Sequence, residues 1–132
     1  MNDPLAALSL KFAADIIRLF DTIHNRANIK NQLLRSSSSI GANIHEAKYG
    51  YSKDDFVFKL QLALKECNES LYWLKLLKES ETISPEQARE LLNMCTKLRY
   101  MLVTSLNTSK KSKTTSNACA THPFQNKFTS FT

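Results

Sequence analysis

Two glutamates three residues apart, Glu66 and Glu69, come nearest in this chain to a chemical motif. Metal-binding helical bundles project carboxylates and a Glu-x-x-His pair inward from facing helices. No Glu-x-x-His occurs here. Stepping 100° per residue from Phe56 puts Glu66 at about 280° and Glu69 at about 220°, away from the core stripe. His24 falls in a loop, His45 on a helix flank and His122 in the C-terminal tail, so they form no convergent ligand set. Composition permits a Ser-His-Asp arrangement, but the serine-rich run at 36–39 has no strand-to-helix nucleophile elbow. Neither a P-loop nor a dinucleotide fingerprint is present. The expectation is a non-enzymatic protein with no catalytic residue, no metal and no cofactor.

Cysteines point the same way. Cys67, Cys95 and Cys119 are odd in number and lack a Cys-x-x-Cys. Cys67 and Cys95 lie on apolar helix faces, which predicts reduced core thiols in a cytoplasmic protein, with a disulfide or metal role as the alternative. The start, MNDPLAALSLKF, carries an acid where a signal peptide needs a basic region. No apolar run approaches the roughly 20 residues that span a bilayer, so no membrane partner is expected.

The elements that must position these residues are helices. A chain of 132 residues suits one core, and two glycines with three prolines leave no strand-and-turn pattern. Asp3 and Pro4 open a first helix reaching about Ile23, with the stripe Leu5, Leu8, Phe12, Ile16, Leu19 and Ile23. The second runs from about Ile29 to Tyr49 and stops at Gly50. Its serine-glycine run reads as a linker by composition, yet Leu33, Ser37, Ile40, Ile44 and Ala47 step by 4, 3, 4 and 3 along one helical face. Ser52 and Asp55 cap a third helix reaching about Lys78, with the stripe Phe56, Leu60, Ala63, Cys67, Leu71 and Leu74. Ser84-Pro85-Glu86-Gln87 opens a fourth that reaches about Leu106. Short connections make neighbours antiparallel, so the predicted fold is an all-α up-down-up-down four-helix bundle over residues 1–107. Residues 108–132, rich in Ser, Thr and Lys, read as a disordered tail.

Opposite faces carry the functional expectations. Phe58, Leu62, Trp73 and Leu76 cluster on the third helix away from Phe56 and Leu74, and Leu10, Ala14 and Ile17 do so on the first. Apolar backs on two helices predict a second buried surface, most simply self-association. On the second helix Arg35, Ser39, Ala42 and Glu46 form the outward stripe with Asn43 beside them, while Leu34, Ser38, Gly41 and His45 form a flank small enough for close helix approach. Gly41 is therefore read as a packing residue.

Net charge is +6, of which +2 falls in residues 1–107 and +4 in the tail. The body alone is not basic enough to declare nucleic-acid binding. Candidate phosphate contacts are Arg26, Lys30 and Arg35 near the second helix and Lys110, Lys111 and Lys113 in the tail. Taken singly, each is an ordinary solvated charge.

RSSSSIGANIHEA followed by DFVFKLQLALKECNESLYWLKLL resembles the bacterial four helix bundle protein family, also called 23S rRNA intervening sequence proteins. The shared pattern is close to RSSxSIxxNIxEA and FxxKLxxALxExxExxYWL. It is carried here by Arg35, Ser36, Ser37, Ser39, Ile40, Asn43, Ile44, Glu46 and Ala47, then by Phe56, Lys59, Leu60, Ala63, Leu64, Glu66, Glu69, Tyr72, Trp73 and Leu74. The likeness covers roughly residues 5–107, and Cys67 departs from a usual small residue such as alanine. It implies a cytoplasmic bundle assembling as a homopentameric ring. It also implies an accessory role beside RNA or DNA and a reverse transcriptase or other ribonucleoprotein component, as in proteins of diversity-generating retroelements. A ribosomal subunit component is not implied. Two functional readings follow: an oligomeric nucleic-acid or ribonucleoprotein accessory, or a purely protein-binding scaffold for an enzyme encoded nearby.

Overall fold

The computed structural model describes residues 3–116, with side chains through residue 111. Its helices are α1 (Pro4–Phe20), α2 (Ala27–Ala47), α3 (Lys53–Glu79) and α4 (Pro85–Ser116). Three of the four starts use the expected caps. Asp3 accepts from the Ala6 N–H at 3.0 Å, and Ser52 accepts from the Asp55 N–H at 3.1 Å. Ser84 and Gln87 complete a reciprocal box at 3.1 and 2.9 Å. The start of α2 differs. Arg26 occupies its N-cap in the left-handed region, φ 63°, with no side-chain cap.

Helix ends depart from the sequence reading in two places. α1 stops at Phe20, because Thr22 turns its hydroxyl and its N–H onto the Leu19 carbonyl; Ile23 is buried all the same. α4 continues to Ser116 rather than ending near Leu106, so 108–116 is helix and not a disordered tail. No glycine or proline interrupts the chain between Pro85 and Pro123. Thr108 and Ser109 also return their hydroxyls to the carbonyls of Thr104 and Ser105, 3.0 Å each, which is compatible with helix. The rest of the tail expectation lies outside the described residues.

Packing follows chain order. α2 lies most extensively against α3, α4 packs on α3, and α1 closes the circuit on α2 and α4, so α1 and α3 stand diagonally, as do α2 and α4. The α1–α2 and α3–α4 turns therefore share one end, where Gln87 Nε2 reaches Thr22 Oγ1 at 3.5 Å. The α2–α3 turn, the start of α1 and the end of α4 share the other, marked by a Lys48–Asp3 ion pair at 2.6 Å.

The core runs through all four helices, with Phe12, Ile16, Leu33, Ile40, Leu74, Leu77, Leu98 and Leu102 fully enclosed. Cys67 and Cys95 are free, buried thiols with sulfurs 3.5 Å apart across the α3–α4 contact. The hydrogen bond to Cys67, together with burial, pushes the Cys95 thiol far up, which keeps it protonated and unreactive. Among the described residues no helix is long and apolar enough to cross a membrane.

Candidate interaction surfaces

The serine run is the hinge of the arrangement, since its side chains face three directions. Ser36 is fully buried, donates to the Leu33 carbonyl at 3.3 Å and meets Ser70 of α3 hydroxyl to hydroxyl at 2.8 Å. Ser37 faces the core and donates to the Leu34 carbonyl at 3.3 Å. Ser38 is exposed, and half-buried Ser39 offers its carbonyl to Asn43 Nδ2 at 2.8 Å. Short hydroxyls can return to the preceding turn, so a helix carries four in a row without stranding a polar group.

Gly41 does what its flank position suggested. A Cβ there would sit 3.2 Å from the Ser9 Oγ on α1, tighter than ordinary contact. The close neighbour is thus α1 of the same bundle.

Outside Ser36, the α2–α3 seam is zipped by charge. Arg35 Nη1 donates to Glu66 Oε2 at 3.1 Å, its Nη2 to Glu69 Oε2, and its Nε to Gln32 Oε1 at 3.3 Å. Further along, Lys59 Nζ donates to Glu46 Oε2 at 2.7 Å. Burial raises the Glu66 carboxyl, and adjacent Glu69 adds to that push; Arg35 only partly offsets it. Burial also acts upward on Glu69, but the hydrogen bonds from Arg35 and Glu66 outweigh it and hold that carboxyl below the ordinary range. Hydrogen bonding to Glu69 in turn raises the Arg35 guanidinium, and Lys59 lowers Glu46. The buried indole N–H of Trp73 adds to the pull on Glu69 without completing a hydrogen bond.

Two sequence expectations change here. Glu66 and Glu69 face away from the core centre but not into open water; they lie on the flank of α3 that meets α2, where an arginine compensates them. Arg35, expected as a phosphate contact, is already engaged by two carboxylates.

The remaining cations do not gather. Lys30 donates to the Ile23 carbonyl at 2.7 Å and stands 5.6 Å from the Phe20 ring centroid, closing the α1–α2 turn. Arg26 is exposed at that same end. Lys110, half-buried and lowered by burial, and exposed Lys111 lie near the other end of α4, about 35–40 Å away along the helix axis. Lys113 belongs to α4, but its side chain lies outside the described residues.

The expected interface residues divide. Leu10 is 73% exposed, Ile17 55% and Phe58 54%, leaving large apolar surface on α1 and α3. Leu62 and Leu76 are half-buried. Trp73 is half-buried and packs against the core rather than standing open; exposed Tyr72 meets it edge-on at 5.1 Å between ring centroids. Among the described residues no three His, Cys, Asp or Glu side chains are grouped to hold a metal ion.

Comparison with known proteins agrees with this framework. A crystal structure described as a protein of unknown function from the S23 ribosomal protein family of Bacteroides thetaiotaomicron is 40% identical. The match covers 77% of this chain and 97% of that one, with a TM-score of 0.73. No match is found among curated proteins. The profile of the 23S rRNA-intervening sequence protein family matches residues 5–104, which span α1 but for its first residue, all of α2 and α3 and most of α4. The chain therefore belongs to the 23S rRNA-intervening sequence protein family.

Proposed function

We propose that this protein is a non-catalytic assembly module that self-associates through the apolar outer sides of α1 and α3. The observation that carries the reading is the exposure of Leu10, Ile17 and Phe58 on a bundle whose core is otherwise closed. Large apolar side chains aligned on a helix back and left in water are characteristic of contact surfaces.

The placement of the two patches supports a particular kind of assembly. α1 and α3 occupy diagonal corners of the bundle, with α2 between them. Patches facing different ways favour a head-to-tail contact, patch to unlike patch, which closes into a ring when the rotation allows. The family resemblance implies five copies. Within such a ring the Arg35–Glu66–Glu69 cluster keeps α2 and α3 in register, so that Phe58 is presented on a rigid pair.

The wider role implied by the resemblance is that of an accessory to a ribonucleoprotein partner, such as a reverse transcriptase. A purely protein-binding scaffold is the second reading. It is favoured by the engagement of Arg35 and by the separation of Arg26 and Lys30 from Lys110 and Lys111.

Leu10→Glu and Phe58→Glu test the assembly. Each variant alone should run as a monomer, and an equimolar mixture should form a heterodimer through the one intact pair of patches. Homodimers formed by either single variant would mean like patches pair, and the head-to-tail reading fails.

A further inference from the structure

We propose that Cys67 and Cys95 are an oxidant-responsive pair: a peroxide joins them as a disulfide that locks α3 to α4, and a reducing thiol reopens it. This assignment is independent of the assembly patches.

Reciprocal geometry carries the inference. Both thiols are fully buried, and their sulfurs stand 3.5 Å apart across the α3–α4 contact. Cys67 Sγ lies 3.2 Å from the Cys95 carbonyl oxygen, and Cys95 Sγ lies 3.4 Å from that of Cys67. Each sulfur thus rests against the opposite backbone. Closing the gap to the roughly 2 Å of a disulfide is a matter of side-chain rotation rather than helix displacement. Packing alone would be met by any small apolar side chain at either position. A thiol at both, each facing the other, adds a capability that such a filler lacks.

The pair also sits where a cross-link constrains the chain well. Cys67 is near the middle of α3 and Cys95 in the first half of α4, with 28 residues between them that include the whole α3–α4 turn. Tying off a loop of that length restricts the unfolded chain, so the bond favours the folded bundle.

Burial sets the gate. Cys67 and the apolar surroundings hold Cys95 protonated, so the closed bundle offers a peroxide no thiolate there. Reaction waits for local opening of the α3–α4 seam, which admits water and a small oxidant. One thiolate then attacks a peroxide oxygen. The S–O bond forms, the O–O bond breaks, and the departing hydroxide takes up the proton that the thiol released. The second sulfur attacks the resulting sulfenic acid. The S–S bond forms, the S–O bond breaks, and the hydroxyl leaves with the second proton as water. Two electrons pass from the sulfurs to the peroxide, which ends as two waters. Thiol–disulfide exchange with a reducing dithiol restores both thiols.

The full-length chain carrying Cys119→Ser, which removes the remaining cysteine, should be exposed to millimolar hydrogen peroxide in urea from zero to the unfolding midpoint. Alkylation and trypsin digestion without reductant should then yield peptides 66–75 and 90–97 joined to each other, from a chain that runs at 15.0 kDa on a non-reducing gel. The rate of joining should rise with urea below the midpoint. The oxidised chain should melt at least about 5 °C higher. Dithiothreitol should return it to the starting value; methionine sulfoxide survives that treatment, so the reversible part of the shift reports the disulfide. Cys67→Ala in the same background should give neither the joined peptides nor a reversible shift, and the result for the intact pair stands whether or not that variant folds. Four outcomes overturn the proposal: two free thiols after peroxide at every urea concentration, sulfinic acid or chain-to-chain links in place of the joined peptides, a joined chain that melts no higher than the reduced one, or a rate indifferent to urea.

Discussion

Replacing Arg35 with alanine tests the seam on which the presentation of both helices depends. Arg35 links α2 to Glu66 and Glu69, and its side chain is 47% exposed while that of Glu66 is only 16% exposed. Solvent screening limits an exposed ion pair to about 0.2–1 kcal/mol, so the two pairs cannot be credited at their full Coulomb value. The larger cost comes from Glu66. Without Arg35 a mostly covered carboxylate loses a charge-assisted hydrogen bond and faces Glu69 across one helical turn, a loss of about 1–3 kcal/mol in general. Together these give an expected destabilisation of about 1–2.5 kcal/mol near pH 7.

The pH dependence makes the argument specific. Glu66 sits above its ordinary value of 4.5 and Glu69 below it, and loss of Arg35 drives both upward. A carboxyl raised in the folded state favours folding only where it is protonated, so the deficit of the variant is present at neutral pH. It should fade only as pH drops well below 4.5, through the lowered range of Glu69, to where both carboxyls are protonated in folded and unfolded chains. Urea unfolding followed by Trp73 fluorescence at the two pH values measures this. A deficit that is the same at both, or below about 0.3 kcal/mol at neutral pH, would refute the reasoning.

Two further substitutions probe local claims by the same unfolding assay. Glu81 stands at φ 59° just past α3, where the Thr82 and Glu81 N–H groups close onto Leu77 and Lys78 carbonyls at 2.9 and 3.0 Å, so Glu81→Gly should stabilise the fold by about 1 kcal/mol. Ser36→Ala strands the buried Ser70 hydroxyl and should cost about 1–2 kcal/mol, while the Ser36→Ala/Ser70→Ala double variant should cost less than the two singles added.

Much of the fold was legible because local signals agreed. Asp3-Pro4, Ser52 and the Ser84–Gln87 box marked three helix starts, and periodicity turned the serine run into a helix against its composition. Compositional bias misled at residues 108–116, where Ser, Thr and Lys read as a tail although nothing there breaks a helix. The surfaces were less legible, because a helical wheel separates core from back but does not say which neighbour covers each flank. Glu66 and Trp73 are the clearest cases: both fall outside the apolar stripe of α3, yet Glu66 is partly covered beside Arg35 of α2 and Trp73 packs against the core. The antiparallel register of Arg35 against Glu69 and of Glu46 against Lys59 was the available signal.

The central claim is assembly, and the mass of the purified full-length chain by light scattering tests it most directly. The account predicts a species several times the 15.0 kDa of one chain, lost in Leu10→Glu and in Phe58→Glu. A wild-type protein that stays at the mass of a single chain across concentration would contradict it.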